Sequence, residues 1–221
     1  MIFLQLYFTI NPIIMSPDTL NKIIEILSSK YAGVGTDLYN TNPFQLLIAT
    51  ILSAQCTDKR VNMVTPELFE KYPDAYAFAV ADVADVEEMI RSTGFYKNKA
   101  LHIVECSKQL VANHNGQVPS TMEELTALQG VGRKTANCIM GEYFEPVGVV
   151  VDTHIIRICN LWKLVSTKNA VKIEKELMEI VPQKQWVNFT HYVIHLGRDT
   201  CIARRPKCSE CIVREYCPSA L

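Results

Sequence analysis

The sequence lacks the marks of several protein classes. No basic segment precedes its apolar start, since the first lysine is Lys22. The opening run MIFLQLYFTINPIIM is therefore not a secretion signal, and at fifteen residues it is too short to cross a bilayer. Met15 is an alternative start, so no function is assigned to residues 1–15. An excess of one charge is also missing: 22 Lys and Arg stand against 23 Asp and Glu, for a formal net charge of −1. A broadly basic nucleic-acid-binding surface is thereby excluded, and any such surface must be local. There is no internal repeat and no low-complexity linker, and residues 147–151 form the one β-branched run. A single run has no strand to pair with, so the expected fold is all-α.

Helix signals are plentiful. Ser16-Pro17 places a capping residue before a proline at the first helical position, and Leu20, Ile23, Ile24 and Leu27 follow as one stripe. Asn42-Pro43 repeats the signal, and residues 44–52 are apolar almost all round, as in a helix buried inside a bundle. Further helices are expected after Thr57, with Pro66 disturbing the second half, and over 82–91, 100–112, 168–180 and 185–198. A chain of 221 residues can bury a substantial core.

The stretch STMEELTALQGVGRKTANCIMGEYFEPVGVVVDTH, residues 120–154, is the most distinctive. Ser120 and Glu123 have the spacing of a capping box. After Leu125 and Leu128 the glycines Gly130 and Gly132 bracket Val131, so the chain turns sharply and its amides stay uncovered. A second helix opens at Arg133-Lys134. Its N-terminus suits an anion and is hostile to an ammonium, because unpartnered N–H groups and the macrodipole make it positive. An ordinary lysine, with a pKa of about 10.4, is neutral at pH 7 in only about one molecule in 2,500. A nucleophilic amine needs such a perturbation; otherwise Arg133 and Lys134 meet solvent or phosphate.

Eight cysteines fall into two groups. Cys56, Cys106, Cys138 and Cys159 sit in apolar helical stretches and read as small packing residues. Cys201, Cys208, Cys211 and Cys217 lie within seventeen residues, at intervals of six, two and five. With no secretion signal, a metal site is expected rather than disulfides. Spacing alone leaves zinc and a four-iron cluster both open. Arg204, Arg205 and Lys207 fill the first interval, and this tail holds six Lys and Arg from Lys184 onward against three acids. A metal-pinned loop with three cations suits phosphate. Asp152 reads as a helix cap or as a carboxylate facing Lys134, and His154 as a packed residue. Gln55 and Phe95, at the ends of their elements, could wedge into a base stack or serve as ordinary surface residues.

Together these residues resemble endonuclease III, a family of helix-hairpin-helix DNA glycosylases with abasic-site lyase activity. The resemblance rests on SAQCTD at 53–58, LQGVGRKTAN at 128–137, VDTH at 151–154 and the four-cysteine tail, and it spans roughly residues 16–217. It implies two helical lobes with a DNA-binding cleft between them: a six-helix lobe over 36–146, and a cluster lobe built from 147–221 and the N-terminal segment 1–35. It also implies that Lys134 is the nucleophile and Asp152 the catalytic carboxylate. Cys201, Cys208, Cys211 and Cys217 would hold a [4Fe-4S] cluster. Gly130, Val131, Gly132 and Arg133 would grip DNA phosphates, with His154, Arg204, Arg205 and Lys207 beside the strand, while Gln55 and Phe95 would fill the gap left by a flipped nucleotide. The implied partner is duplex DNA with damaged pyrimidines or abasic sites, met by a cytoplasmic monomer with no membrane association. The related adenine glycosylases lack lysine at the position of Lys134. Two departures stand out: Gln129 replaces a usual proline, which should loosen the hairpin, and Cys56 replaces a small residue.

Overall fold

The structure, a computed structural model, describes residues 15–221, so what was expected of residues 1–14 lies outside the described residues. Eleven α-helices follow one another in this range: α1 (Pro17–Lys30), α2 (Pro43–Leu52), α3 (Asp58–Lys71), α4 (Ala75–Ala79), α5 (Val83–Ile90), α6 (Tyr96–His114), α7 (Met122–Ala127), α8 (Arg133–Tyr143), α9 (Thr153–Leu161), α10 (Ala170–Ile180) and α11 (Trp186–Asp199). Short 3₁₀ turns occupy Arg91–Thr93, Gln183–Gln185, Cys208–Glu210 and Arg214–Tyr216. No strand occurs among the described residues, so the chain is all-α, and the run at 147–151 is irregular with a bend at Gly148. By its contacts the chain divides into two compact units: Thr36–Val147, and the flanking segments up to Gly35 and from Gly148 to Leu221.

The unit Thr36–Val147 is built around α2. Asn42 caps it by accepting from the Gln45 amide at 2.9 Å, and Pro43 fixes its first turn. Leu46, Leu47, Ile48, Ala49 and Leu52 are all fully buried. A helix that is apolar all round can only be surrounded, and Val61, Leu68, Phe78, Val86, Ile90, Ile103 and Ile139 belong to the same core. This unit has seven α-helices rather than six, the extra one being the five-residue α4. Pro66 does not break α3, which runs through it from Asp58 to Lys71. Proline deletes one backbone hydrogen bond, while Val61, Thr65 and Leu68 bury both halves of the helix in one core.

The capping box lies one residue later than its spacing suggested. Thr121, not Ser120, caps α7 by accepting from the Glu124 amide at 3.2 Å, and the Glu124 carboxylate accepts from the Thr121 hydroxyl at 2.6 Å.

The other unit packs α1 with α9, α10 and α11. Leu20, Ile23 and Leu27 share a core with Ile155, Ile158, Trp162, Leu177, Phe189 and Val193. At the end of α1 the Tyr31 hydroxyl donates to Asp199 at 2.8 Å, and Lys30 pairs with the same carboxylate at 3.4 Å. The first described helix is thus tied to the last one, just before the cysteine tail.

Candidate functional site

The hairpin between α7 and α8 is anchored from inside. Leu125, Leu128 and Val131 are buried, so Val131 offers only its backbone to a ligand. The Val131 amide donates to the Leu128 carbonyl at 3.1 Å, closing the turn. Gly130 adopts φ +79°, and a Cβ there would stand 2.9 Å from the Cβ of His102 on α6. A side chain at 130 is thus excluded twice, by backbone conformation and by the packing of α6. Seven residues further along α6, Gln109 accepts a hydrogen bond from the Gln129 amide at 2.7 Å. The expected loosening at Gln129 is offset, because the N–H that a proline would lack has a partner here.

Gly132 is the N-cap of α8 and supplies no side-chain cap to its first turn. Lys134 follows in this first turn and is exposed. One turn on, burial pushes the Cys138 thiol up to about 11, with Glu142 adding to the rise and the Lys134 charge opposing it. Cys138 therefore remains a protonated thiol beside the lysine and is no competing nucleophile at neutral pH.

Two loops of the same unit carry strained residues. Gln55 sits at φ 52° and Phe95 at φ 49°, in the left-handed region that bulky residues avoid. Such a conformation costs on the order of 1–3 kcal/mol per residue and concentrates at functional sites. Both residues are exposed, Phe95 to 64%.

In the second unit, Asp152 is the N-cap of α9. Its Oδ1 accepts from the amides of His154 at 2.8 Å and Ile155 at 2.9 Å. The cap holds the half-buried carboxylate in one place. Asp152 and Lys134 belong to different units. His154 is turned toward Arg157, whose Nη2 lies 3.3 Å from the imidazole Nδ1. Arg157 also donates to the Cys201 carbonyl and reaches the Cys201 sulfur at 3.5 Å. This packing needs Gly197, where a Cβ would come within 2.4 Å of His154 Nδ1.

Cys201, Cys208, Cys211 and Cys217 all line one cavity of about 320 Å³, together with Arg157, Trp162 and Leu196. All four are free thiols. Burial raises the thiol pKa of Cys211 and Cys217, and the neighbouring cysteines raise both further. Cys211 and Cys217 resist ionising unless a cation sits among the four sulfurs, and four thiolates are the donor set of an iron–sulfur cluster. No three His, Cys, Asp or Glu side chains converge on an ion-sized point among the described residues. A cluster takes one thiolate per iron and needs no such convergence, so the donor set and the cavity fit it. Arg204, Arg205 and Lys207 are exposed on the loop between the first two cysteines. The Lys207 amide donates to the Thr200 carbonyl at 2.9 Å and closes that loop.

A glycine hairpin opening a helix, in an all-α chain with four clustered cysteines, is the arrangement of a helix-hairpin-helix protein with a cysteine-held metal group. Residues 48–183 match the model of the HhH-GPD superfamily base excision DNA repair protein, and residues 201–217 match the iron-sulfur binding domain of endonuclease III. Endonuclease III of Synechocystis sp. is 47% identical over 200 residues, covering 90% of this chain and 91% of that protein. Endonuclease III of Escherichia coli (strain K12) is 41% identical over 182 residues, covering 82% and 86%. A solved non-covalent endonuclease III–DNA complex superposes with a TM-score of 0.88 at 35% identity, covering 94% of this chain and 97% of that one. The chain belongs to the endonuclease III family. It is a DNA glycosylase and abasic-site lyase of base excision repair, binds DNA, and carries a [4Fe-4S] cluster. No helix among the described residues is long and apolar enough to cross a membrane.

Three residues of these sites escaped the sequence reading: Lys99, Gln109 and Arg157. Each acts on backbone groups remote in sequence, 47 residues away for Lys99 and Leu52, 20 for Gln109 and Gln129, and 44 for Arg157 and Cys201. No local pattern records such a partner.

Proposed function

We propose that Lys134 is the nucleophile and Asp152 the catalytic carboxylate in the removal of damaged, oxidised pyrimidines from duplex DNA. The observation that carries this reading is the exposed Lys134 in the first turn of α8, behind a glycine hairpin whose amides have no side-chain cap. Those amides and Arg133 hold DNA phosphates, as a helix N-terminus favours. The cations Arg204, Arg205 and Lys207 grip the backbone from the cysteine loop, and His154 stands beside the strand. Gln55 and Phe95 enter the space left when the damaged nucleotide is flipped out.

The neutral Lys134 Nζ bonds to C1′ of the flipped nucleotide as the glycosidic C1′–N bond breaks, and the departing base takes the bonding electrons and is protonated. Asp152 stabilises the positive charge developing at the sugar. The sugar ring then opens to a protonated Schiff base. Loss of a proton from C2′ expels the 3′-phosphate oxygen from C3′, cutting the strand 3′ to the site, and water releases the lysine. A relative of this chain was solved as a trapped endonuclease III–DNA covalent intermediate, which supports a covalent route. The bound cluster supplies a cross-link between Cys201, Cys208, Cys211 and Cys217 that fixes the cationic loop. The protein works as a cytoplasmic, DNA-associated monomer in a reducing compartment. Residues 36–146 form the hairpin lobe, and residues 147–221 with the N-terminal segment form the cluster lobe.

Borohydride trapping on abasic duplex tests the assignment. A covalent protein–DNA adduct is expected from the native protein and none from Lys134→Gln; an adduct that survives this substitution refutes it. Asp152→Asn keeps the cap geometry and should lose most base-release activity, whereas Asp152→Ala should also lose about 1 kcal/mol of stability. Equal activity of native protein and Asp152→Asn removes the carboxylate from the mechanism.

A further inference from the structure

Lys99 is the most deeply buried cation in the hairpin unit, with 4% of its surface exposed. It lies on α6, away from the hairpin chemistry assigned above. Its ammonium donates to two backbone carbonyls, Leu52 O at 2.8 Å and Thr93 O at 2.9 Å. Neither acceptor is incidental. Leu52 is the last residue of α2 and Thr93 the last of the 3₁₀ turn Arg91–Thr93, so both carbonyls are terminal groups without a helical partner. A cation at a helix C-terminus is also favoured by the macrodipole. Burial pulls the Lys99 pKa below the ordinary lysine value, and the Cys56 thiol nearby opposes this.

The two carbonyls sit just upstream of the two strained residues. Gln55 follows Leu52 by three residues, and Phe95 follows Thr93 by two. Between Leu52 and Gln55 the backbone is pinned by Ser53 N–H to Ala49 O at 2.9 Å, and past Gln55 by Cys56 N–H to Ser53 O at 3.0 Å. The carbonyl of Phe95 accepts from the Lys99 amide at 3.1 Å. One residue therefore holds both loops, by its side chain at Leu52 and Thr93 and by its backbone at Phe95.

We propose that Lys99 is a positioning residue for lesion recognition: its ammonium ties the Gln55 loop to the Phe95 loop, so that both side chains enter the DNA at a fixed separation. The proposal rests on the reading of Gln55 and Phe95 as the residues that fill the vacated gap. Two side chains inserted into one gap must keep their spacing against the force of restacking bases. Ordinary loops would shift, and a buried ammonium with two carbonyl acceptors does not. The tie matters only when a gap is opened, so its loss should be felt on lesion duplex and not on undamaged DNA.

The test uses the full-length, cluster-loaded protein and three substrates: a duplex with a tetrahydrofuran abasic analogue opposite 2-aminopurine, the undamaged duplex, and a single-stranded abasic oligonucleotide. Lys99→Met keeps the length of the side chain and removes its donors. Its preference for the analogue over undamaged duplex should fall by about tenfold or more. The 2-aminopurine fluorescence rise should slow in proportion, while strand cutting of the single-stranded substrate, which has no gap to fill, holds. Lys99→Arg, which restores a cation with several donors, should recover the preference. A parallel loss on all three substrates, or an unchanged preference, overturns the proposal. Gln55→Ala and Phe95→Ala separate the two ideas. If both leave the preference intact, the gap-filling reading fails and takes the tie with it; if they reduce it and Lys99→Met does not, only the tie fails. Should Lys99→Met not fold, as judged by circular dichroism and cluster absorbance, Lys99→Arg against Lys99→Gln decides. A shorter neutral amide reaches one carbonyl at most, so equal preferences for that pair also overturn the proposal.

Discussion

The two units hold their functional groups by different means. In Thr36–Val147 the scaffold is an apolar core around α2, and its loops are set from α6: by hydrogen bonds of Lys99 to two carbonyls and of Gln109 with the Gln129 amide, and by the packing of His102 against Gly130. In the other unit the helices share an apolar core, but the tail from Cys201 onward contributes little to it beyond Val213 and the partly buried Cys201, Cys211, Tyr216 and Cys217. That tail is a series of single turns, such as Cys211 N–H to Cys208 O at 3.2 Å and Cys217 N–H to Arg214 O at 3.1 Å. Turns this short do not hold on their own. The hairpin is thus kept in place by packing, whereas the cationic loop depends on its thiolates being cross-linked.

The largest expected effect bears on chemistry alone. Lys134→Gln should lower strand cutting of abasic duplex by about 1,000-fold or more, equivalent to about 4 kcal/mol of barrier, with the melting temperature unchanged. Single-turnover kinetics beside a thermal scan measure both, and a stability loss would mean that the exposed lysine also supports the hairpin.

Next comes a matched pair that separates the units. Leu47→Ala removes a fully buried side chain of α2 and should cost about 2–5 kcal/mol, exposing amides across residues 36–147 to hydrogen exchange. Cys208→Ser should instead bleach the cluster and admit protease between residues 201 and 217, leaving exchange in 36–147 as it was. Global unfolding of both variants would refute the division of labour.

A smaller effect is expected from Gly197→Ala. Its added methyl meets His154 Nδ1 at 2.4 Å and must displace the His154–Arg157 pair. A cost of about 1–3 kcal/mol is expected, with a shift of the cluster absorbance because Arg157 also contacts Cys201. The smallest is Gln109→Ala, which leaves the Gln129 amide without its acceptor. About 1 kcal/mol of stability and a few-fold of undamaged-duplex affinity should be lost, read by denaturant titration and fluorescence anisotropy.

Much of this architecture is legible in the sequence, because its signals are local. Ser16 and Asn42 cap helices that begin at prolines, as their order indicates, and the apolar run 44–52 is the buried helix it resembles. Helix α6 begins at Tyr96, four residues before the expected start at Ala100. Phe95 opens that helix from a left-handed backbone with no capping side chain, which no propensity signals. The helix α4 was missed because AYAFA is a single turn and a half, too short for periodicity. At the candidate site spacing singled out the four cysteines, while Lys134 and Asp152 took their roles from the resemblance to endonuclease III. The groups that orient their surroundings did not show, since Gln109 and Arg157 read as ordinary polar positions on helices and Lys99 as a loop lysine ahead of the helix expected over 100–112.

The Gln109–Gln129 bond makes two positions, 20 residues apart, into one heritable unit. A proline at 129 would stiffen the unfolded chain, a gain of about 0.4–1 kcal/mol where the backbone permits it. It would also strand the Gln109 acceptor and forfeit a bond of similar worth. The two changes nearly cancel, so proline or glutamine at 129 gives a hairpin of similar stability, and only glutamine without Gln109 is poorer. Lineages of this enzyme should therefore carry proline with a free choice at 109, or glutamine with its partner retained, and seldom a mixture. Grafting proline alone into this chain should show that epistasis directly: little change by itself, and no further loss from Gln109→Ala, which costs the native hairpin about 1 kcal/mol.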